Sequence, residues 1–100
     1  MAYVIKSNGK IYTSGLRQIG IVKNGKIYTS GLRLKGIAKN GKIYTSGSRP
    51  IGIVKNGTIY SPGLRPKGKI ADIKKQFKDS NLIQEEILVA AYHFLIKPIF

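Results

Sequence analysis

The sequence predicts a mainly β protein, an antiparallel meander of four 16-residue hairpin repeats with a C-terminal α-helix. Asn-Gly recurs every sixteen residues, at 8–9, 24–25, 40–41 and 56–57, and each copy stands between strand-like apolar residues. This dipeptide is the strongest short-range hairpin signal, because both of its residues tolerate the positive φ of a type I′ turn. After residue 71 the apolar period changes from two to 3.6, which predicts helix.

The repeats are close copies of one another. Residues 8–23 read NGKIYTSGLRQIGIVK and residues 24–39 read NGKIYTSGLRLKGIAK, so the two differ at three positions. The last copy drifts, as a terminal repeat does. We expect about nine short strands over residues 2–71. The predicted units are a repeat region at 1–71, with repeats at 8–23, 24–39, 40–55 and 56–71, and a helical segment at 72–100 that packs on the repeats or on a partner.

A second connection in each repeat has the form Ser-Gly-Leu-Arg, as at residues 30–33. It suits a longer loop with Gly31 in the left-handed conformation, since glycine takes positive φ without a steric penalty. The two kinds of connection together join each strand to the next one along the chain.

Register within a two-residue hairpin decides which side chains share a face of the sheet. Around Asn24-Gly25, Val22 opposes Ile27 and Gly20 opposes Thr29, and this face is the predicted core. The other face carries tyrosine and isoleucine flanked by lysine. A barrel, a twisted open sheet and a hairpin solenoid all fit this pattern. Glycines on the core face leave notches that a helix or another strand can fill; they are Gly20, Gly36, Gly52 and Gly68.

The elements shared by the repeats, Gly-x-Ile-Tyr followed by Ile-Gly-x-Val, resemble repeat segments of bacterial proteins of unknown function. They are also broadly similar to hairpin-repeat arrays such as MORN repeats, which have a longer period. The resemblance covers residues 8–71. It implies a repeat scaffold and carries over no functional residue.

The C-terminal segment predicts two helices. Residues 72–78 can form a short polar helix. Asn81 and Gln84 form a predicted capping box for a second helix that runs to about Lys97, where Pro98 ends it. Because this second helix is apolar almost all round, it is expected to be buried in its own fold or in a partner.

The amount of apolar surface on the second helix predicts an oligomer. Eleven of the fifteen residues at 82–96 are apolar. A helix lying on one sheet face buries a single stripe and leaves residues such as Val89 and Ala90 partly exposed. Threading through a closed sheet would bury the rest in a monomer, whereas packing of helices from two chains gives a symmetric dimer, which we favour. The predicted interface residues are Ile87, Leu88, Ala91, Phe94 and Leu95.

Charge indicates a polyanionic partner. The net charge is +14, and residues 1–71 hold fourteen Lys or Arg and no Asp or Glu. The positive field therefore belongs to the repeats. Nucleic acid is the first expected partner and an anionic lipid surface is a variant. The predicted contact residues are Arg17, Arg33, Arg49, Arg65, Lys10, Lys26, Lys42, Tyr12, Tyr28, Tyr44 and Tyr60.

Each of these residue types also has a purely structural interpretation. Tyrosines among lysines suit base stacking with phosphate neutralisation, but tyrosine is also a good strand residue and lysine keeps a sheet soluble. Each arginine can pair with phosphate, bond its own loop carbonyls or stack on a tyrosine. The two functions that remain are polyanion binding and, alternatively, structural assembly through the helix.

Catalytic groups are sparse. His93 is the only histidine and there is no cysteine, so an ordinary metal site is not expected. His93 lies on the polar stripe of the helix and is interpreted as a solvated or interface residue. Glu85 and Glu86 are adjacent, so their side chains diverge on a helix. We expect no enzymatic activity, no cofactor and no small-molecule substrate.

Hydropathy predicts no transmembrane segment, because the longest apolar run falls well short of the ~20 residues that a spanning helix needs. The N-terminal residues lack the pattern of a signal peptide. The absence of cysteine is compatible with a reducing compartment. The expected location is the cytoplasm.

Overall fold

A computed structural model describes residues 3–6, 8–78 and 83–100. Nine strands form an antiparallel meander in chain order, and a tenth strand pairs parallel with the first, which gives one open sheet. The strands are β1 Tyr3–Ile5, β2 Lys10–Tyr12, β3 Gln18–Lys23, β4 Lys26–Thr29, β5 Leu34–Lys39, β6 Lys42–Thr45, β7 Pro50–Lys55, β8 Thr58–Tyr60, β9 Pro66–Lys69 and β10 Phe77–Lys78. The helices are α1 Ile70–Lys74 and α2 Glu85–Leu95. The prediction of a mainly β meander is confirmed, and the sheet is open.

The Asn-Gly turns have the predicted geometry. Asn24 and Gly25 have φ values of 53° and 76°, so both lie in the left-handed region that a type I′ turn requires. Because a two-residue turn fixes the register of the strands that it joins, the division of side chains between the two faces is confirmed. The partners across β3 and β4 are those predicted: Val22 opposes Ile27, and Gly20 opposes Thr29.

The longer connection of each repeat places leucine, instead of glycine, in the left-handed conformation. Leu32 has a φ of 68°, whereas Gly31 has no positive φ. The N–H of Leu32 donates to the carbonyl of Thr29, as in a type I turn followed by a left-handed residue and a bulge. The left-handed position is thus the third of the loop, and the prediction of Gly31 there is wrong. The same conformation recurs at Leu16, Ser48 and Leu64.

A row of isoleucines forms the centre of the core. Each stands directly before a tyrosine, so the two side chains point to opposite faces. Helix α2 lies across the isoleucine face and contacts strands β3 to β7. The isoleucines, all at most 1% exposed, are Ile11, Ile27, Ile43 and Ile59.

Large side chains of α2 and of the segment after it occupy three of the four glycine notches. A β-carbon added at any of these three glycines would overlap an apolar side chain, so the absence of a β-carbon is what lets the segment approach the sheet. The prediction that a helix fills the notches is confirmed there. At Gly68, which is exposed, nothing lies within 4 Å of such a β-carbon. The pairs are Gly20 with Leu95, Gly36 with Phe94, and Gly52 with Phe100.

The segment between the meander and α2 differs from the predicted polar helix at 72–78. Helix α1 begins at Ile70 and ends at Lys74. Phe77 then lies in β10, where it pairs with Tyr3 of β1. Ile70, Ile73 and Phe77 are buried. The segment is therefore part of the core, and the two residues assigned to helix at its end form a strand instead.

Helix α2 is shorter than predicted and more completely buried. Gln84 is its N-cap without a side-chain capping bond, and Asn81, the other half of the predicted capping box, lies outside the described residues. Val89 and Ala90, which were expected to be partly exposed, are both 0% exposed. The expectation is wrong because α1 packs beside α2 and supplies a second apolar surface.

Candidate functional site

The sheet face opposite α2 collects the predicted lysines and tyrosines. Tyrosine follows a buried isoleucine in each repeat, and lysine precedes that isoleucine in the first three repeats, so both point away from α2. The tyrosines are half-buried, and the lysines are exposed except for Lys10, which is half-buried. We call this surface the lysine–tyrosine face; its residues are Tyr12, Tyr28, Tyr44, Tyr60, Lys10, Lys26, Lys42, Lys23, Lys39 and Lys55.

Cross-strand register arranges these side chains in rows. Lys26 opposes Ile37, and Ile37 opposes Tyr44, so one row runs lysine, isoleucine, tyrosine over three strands. With strands ~4.8 Å apart, lysine and tyrosine of a row stand ~10 Å apart. The same row occurs on either side, as Lys10, Ile21 and Tyr28 and as Lys42, Ile53 and Tyr60.

Two pairs of lysines face each other directly beside the Asn-Gly turns. Lys23 opposes Lys26, and Lys39 opposes Lys42. Like charges at directly opposed positions destabilise a sheet, and an anion held between them would relieve the repulsion. At the next such turn Thr58 replaces the second lysine. The sequence predicted Lys26 and Lys42 as contacts but left out their partners, although the hairpin register alone identifies them.

No carboxylate offsets this charge among residues 3–6, 8–78 and 83–100. The ion pairs there are Lys74 with Glu85 at 3.2 Å and Lys75 with Asp72 at 4.0 Å, and both lie outside the meander. In the described part of the chain, no ion pair therefore reduces the positive charge of the lysine–tyrosine face. A groove in the middle of this face has a mixed polar and apolar lining of Asn24, Lys26, Ile37, Ala38, Lys39, Asn40, Tyr44 and Ser48.

The strand pleat directs the predicted arginines to the other side of the sheet, and Arg49 lines a groove there together with Phe100. The N–H of Thr29 donates to the carbonyl of Arg33, and the N–H of Arg33 donates to Thr29 Oγ1 at 3.1 Å. Thr29 opposes Gly20 on the α2 side, so the pleat places Arg33 on that side as well. A bulge in the register between Ile27 and Tyr28 causes this, because one extra residue reverses the alternation. The same hydrogen bond to a Thr or Ser hydroxyl recurs at Arg17, Arg49 and Arg65.

The arginines and the lysine–tyrosine face are therefore two surfaces. All four arginines are exposed. Stacking of an arginine on a tyrosine is not found in the described part of the chain, where the cation–π contact is that of Lys6 with Tyr12, at 5.6 Å from the ring centroid.

Three leucines beside the arginines were missed as surface residues. Leu16, Leu32 and Leu64 are 67%, 67% and 62% exposed. They occupy the left-handed position of the three-residue loop. The signal that could have found them is loop length, because a three-residue hairpin loop puts its left-handed residue third.

The residues predicted at an oligomer interface lie on the chain's own α2. Leu88 and Ala91 are 0% exposed within the single chain, and Phe94 and Leu95 fill glycine notches. Ile87 is half-buried. Contact between copies through Leu88 or Ala91 would require α2 to leave the sheet. Oligomerisation through the helix stays a prediction.

His93 holds the end of the chain. Its Nδ1 accepts hydrogen bonds from the N–H of Ile99 at 2.9 Å and of Phe100 at 3.4 Å. The His93 ring packs against Phe94 and Phe100, with centroids 4.8 and 5.1 Å away. Burial lowers the pKa of His93, which keeps Nδ1 free to accept. The sequence interpreted His93 as a solvated or interface residue and did not foresee these contacts with its own chain.

Searches of protein-family models, curated proteins and solved structures found no match. The described residues contain no group of three or more His, Cys, Asp or Glu side chains that could hold a metal ion. No helix in the described ranges has the length and apolar character needed to cross a membrane.

Proposed function

We propose that the protein is a non-enzymatic binder of nucleic acid, and that single strands bind along the lysine–tyrosine face. The observation that carries the proposal is the register of this face. Lysines stand in directly opposed pairs beside half-buried tyrosines. In the described residues, no carboxylate forms an ion pair with these lysines. Lysines neutralise phosphates, and an aromatic ring stacks on an unpaired base of any sequence.

The neighbours of the tyrosines in the sheet support a role in stacking. Tyr28 lies between Ile21 and Leu34 in its row, so its ring is supported on both sides along the sheet. Successive tyrosines are two strands apart, ~10 Å. A strand of nucleic acid that crosses the β-strands would meet one aromatic ring per repeat and a pair of cations at each of the two central Asn-Gly turns.

Binding of this kind depends on phosphates and stacking, so we expect little sequence preference and a steep salt dependence. The logarithm of the binding constant should fall by ~0.7 per phosphate neutralised for each log unit of salt. Truncation of a stacking ring should cost ~1–3 kcal/mol per base. Duplex DNA keeps its bases stacked, so it should gain only the electrostatic part.

The test is fluorescence anisotropy of labelled oligo-dT and of a duplex of equal length, titrated with the full chain at several salt concentrations. A quadruple variant with Gln at positions 23, 26, 39 and 42 should flatten the salt dependence for both ligands. Tyr28→Leu with Tyr44→Leu should weaken the binding of single strands more than that of the duplex.

The matched control replaces the four arginines with Gln, which removes the same charge from the other surface. We expect a smaller loss of affinity from this control than from the lysine variant. Equal losses would show that charge alone, and not this face, determines binding. Absence of binding at micromolar protein and roughly 50 mM salt, conditions in which non-specific binders associate, would overturn the proposal.

A further inference from the structure

The loops at one end of the sheet form a surface in which leucine and arginine alternate. Each loop joins an even-numbered strand to the next odd-numbered strand, so all four loops lie at this end of the strands. Neighbouring loops are ~10 Å apart. We call this surface the leucine–arginine edge; its residues are Leu16, Arg17, Leu32, Arg33, Arg49, Leu64 and Arg65.

Folding does not account for the leucines of this edge. A left-handed backbone is unfavourable for a residue with a branched side chain, and glycine or asparagine is the usual occupant of such a position. Leu32 has a φ of 68° with 67% of its surface exposed, so neither conformation nor burial favours leucine there. Ser48 occupies the equivalent position in the third loop, which shows that the loop forms without leucine.

The side chains of the leucine–arginine edge indicate what kind of partner it binds. The leucines are single side chains on loop tips, one or two repeats apart, and they do not form the continuous apolar patch that packs against a protein. A bilayer interface accepts separate apolar side chains without a complementary pocket. Each exposed leucine is followed by an arginine, whose guanidinium group pairs with phosphate. The acid-free charge of residues 1–71 complements a negative surface.

We infer that the leucine–arginine edge binds the surface of an anionic lipid bilayer, with the leucines inserted among the headgroups and the arginines bonded to lipid phosphates. This surface differs from the lysine–tyrosine face in its arginines, which the pleat places on the α2 side of the sheet, whereas the loop position of Ser48 borders the groove of the lysine–tyrosine face. The inference therefore does not rest on the proposed function, and the two can fail separately.

The test is flotation of the full chain with vesicles of phosphatidylcholine alone and of phosphatidylcholine mixed with phosphatidylserine. A triple variant, Leu16→Asn with Leu32→Asn and Leu64→Asn, removes the apolar side chains. It should fold, since asparagine tolerates the left-handed conformation. Wild type should bind the mixed vesicles only, and the triple variant should bind them ~10-fold or more weakly. Its affinity for oligo-dT should not change.

Charge is tested by comparing two variants with equal net charge. Replacement of the four arginines with Gln should weaken vesicle binding by about fivefold per residue. The lysine variant with Gln at 23, 26, 39 and 42 should lose less. The inference is overturned if the leucine variant floats like wild type, if neutral vesicles bind equally well, or if the lysine variant loses as much as the arginine variant.

Discussion

The ring of Phe94 occupies the space above Gly36 that a β-carbon would fill. Gly36→Ala should therefore force the ring or the helix to move, at a cost of ~1–3 kcal/mol in the free energy of unfolding. Gly68→Ala is the matched control, because it makes the same change at the equivalent position with no neighbour within 4 Å. It should be neutral or slightly stabilising. Urea denaturation measures both, and equal effects would mean that α2 does not depend on the notch.

The hydrogen bonds at His93 predict a pH dependence of stability. Its Nδ1 can accept the N–H groups of Ile99 and Phe100 only while that nitrogen is unprotonated. Burial lowers the pKa of His93 in the folded state below its ordinary value of 6.5. The unfolded chain therefore takes up a proton first as the pH falls, so stability should be constant above pH 6.5 and decrease below it.

Thermal unfolding across this pH range tests the prediction. His93→Leu should remove the decrease, since the chain has no other histidine. A decrease of the same size in the variant would rule out His93 as its source.

The left-handed leucines predict a stabilising substitution. Leu32→Asn should raise the free energy of unfolding by ~1 kcal/mol, because asparagine tolerates the left-handed conformation better. Leu32→Ala is the control, since it removes the exposed side chain but keeps the β-carbon responsible for the steric conflict. Chemical denaturation should find this control close to wild type. If the free energy of unfolding rises equally in both variants, the cause would be removal of an exposed apolar side chain and not relief of the steric conflict.

The burial of Leu88 predicts the outcome of placing a charge on α2. Leu88→Lys should unfold the chain, because an unpaired ammonium group in a fully buried position is strongly unfavourable. Ala71→Lys adds the same charge at an exposed position of α1 and should leave the fold intact. Circular dichroism compares the two variants. If Leu88→Lys instead keeps its β signal and its mass by light scattering is half that of the wild type, α2 would be an interface between two copies of the chain.

The register of the sheet was predictable because its determinants are local. Asn24 and Gly25 fix the turn, and the turn fixes which residues oppose each other, including the isoleucines that form the core and Gly36 with its notch. The identity of the notch residues was not predictable, since Phe94 is distant in sequence.

Other features depend on non-local or cumulative geometry. The pairing of Phe77 with Tyr3 joins segments more than seventy residues apart and leaves no periodic signal. Simple alternation of side chains would place Arg33 on the lysine–tyrosine face. A bulge in the strand register places it on the α2 side instead. The predicted contact residues therefore fall on two sides of the sheet, and their binding of a polyanion stays a prediction.

The C-terminal segment sets a lower limit on the number of hairpins. Leu95, Phe94 and Phe100 take successive notches spaced sixteen residues apart in sequence. The fourth notch, at Gly68, is empty, so the segment needs three consecutive notches and is indifferent to further ones. An added hairpin, an easy event in near-identical repeats, would lengthen the sheet beyond the reach of the segment. A chain with fewer than three notches would leave a large apolar side chain exposed.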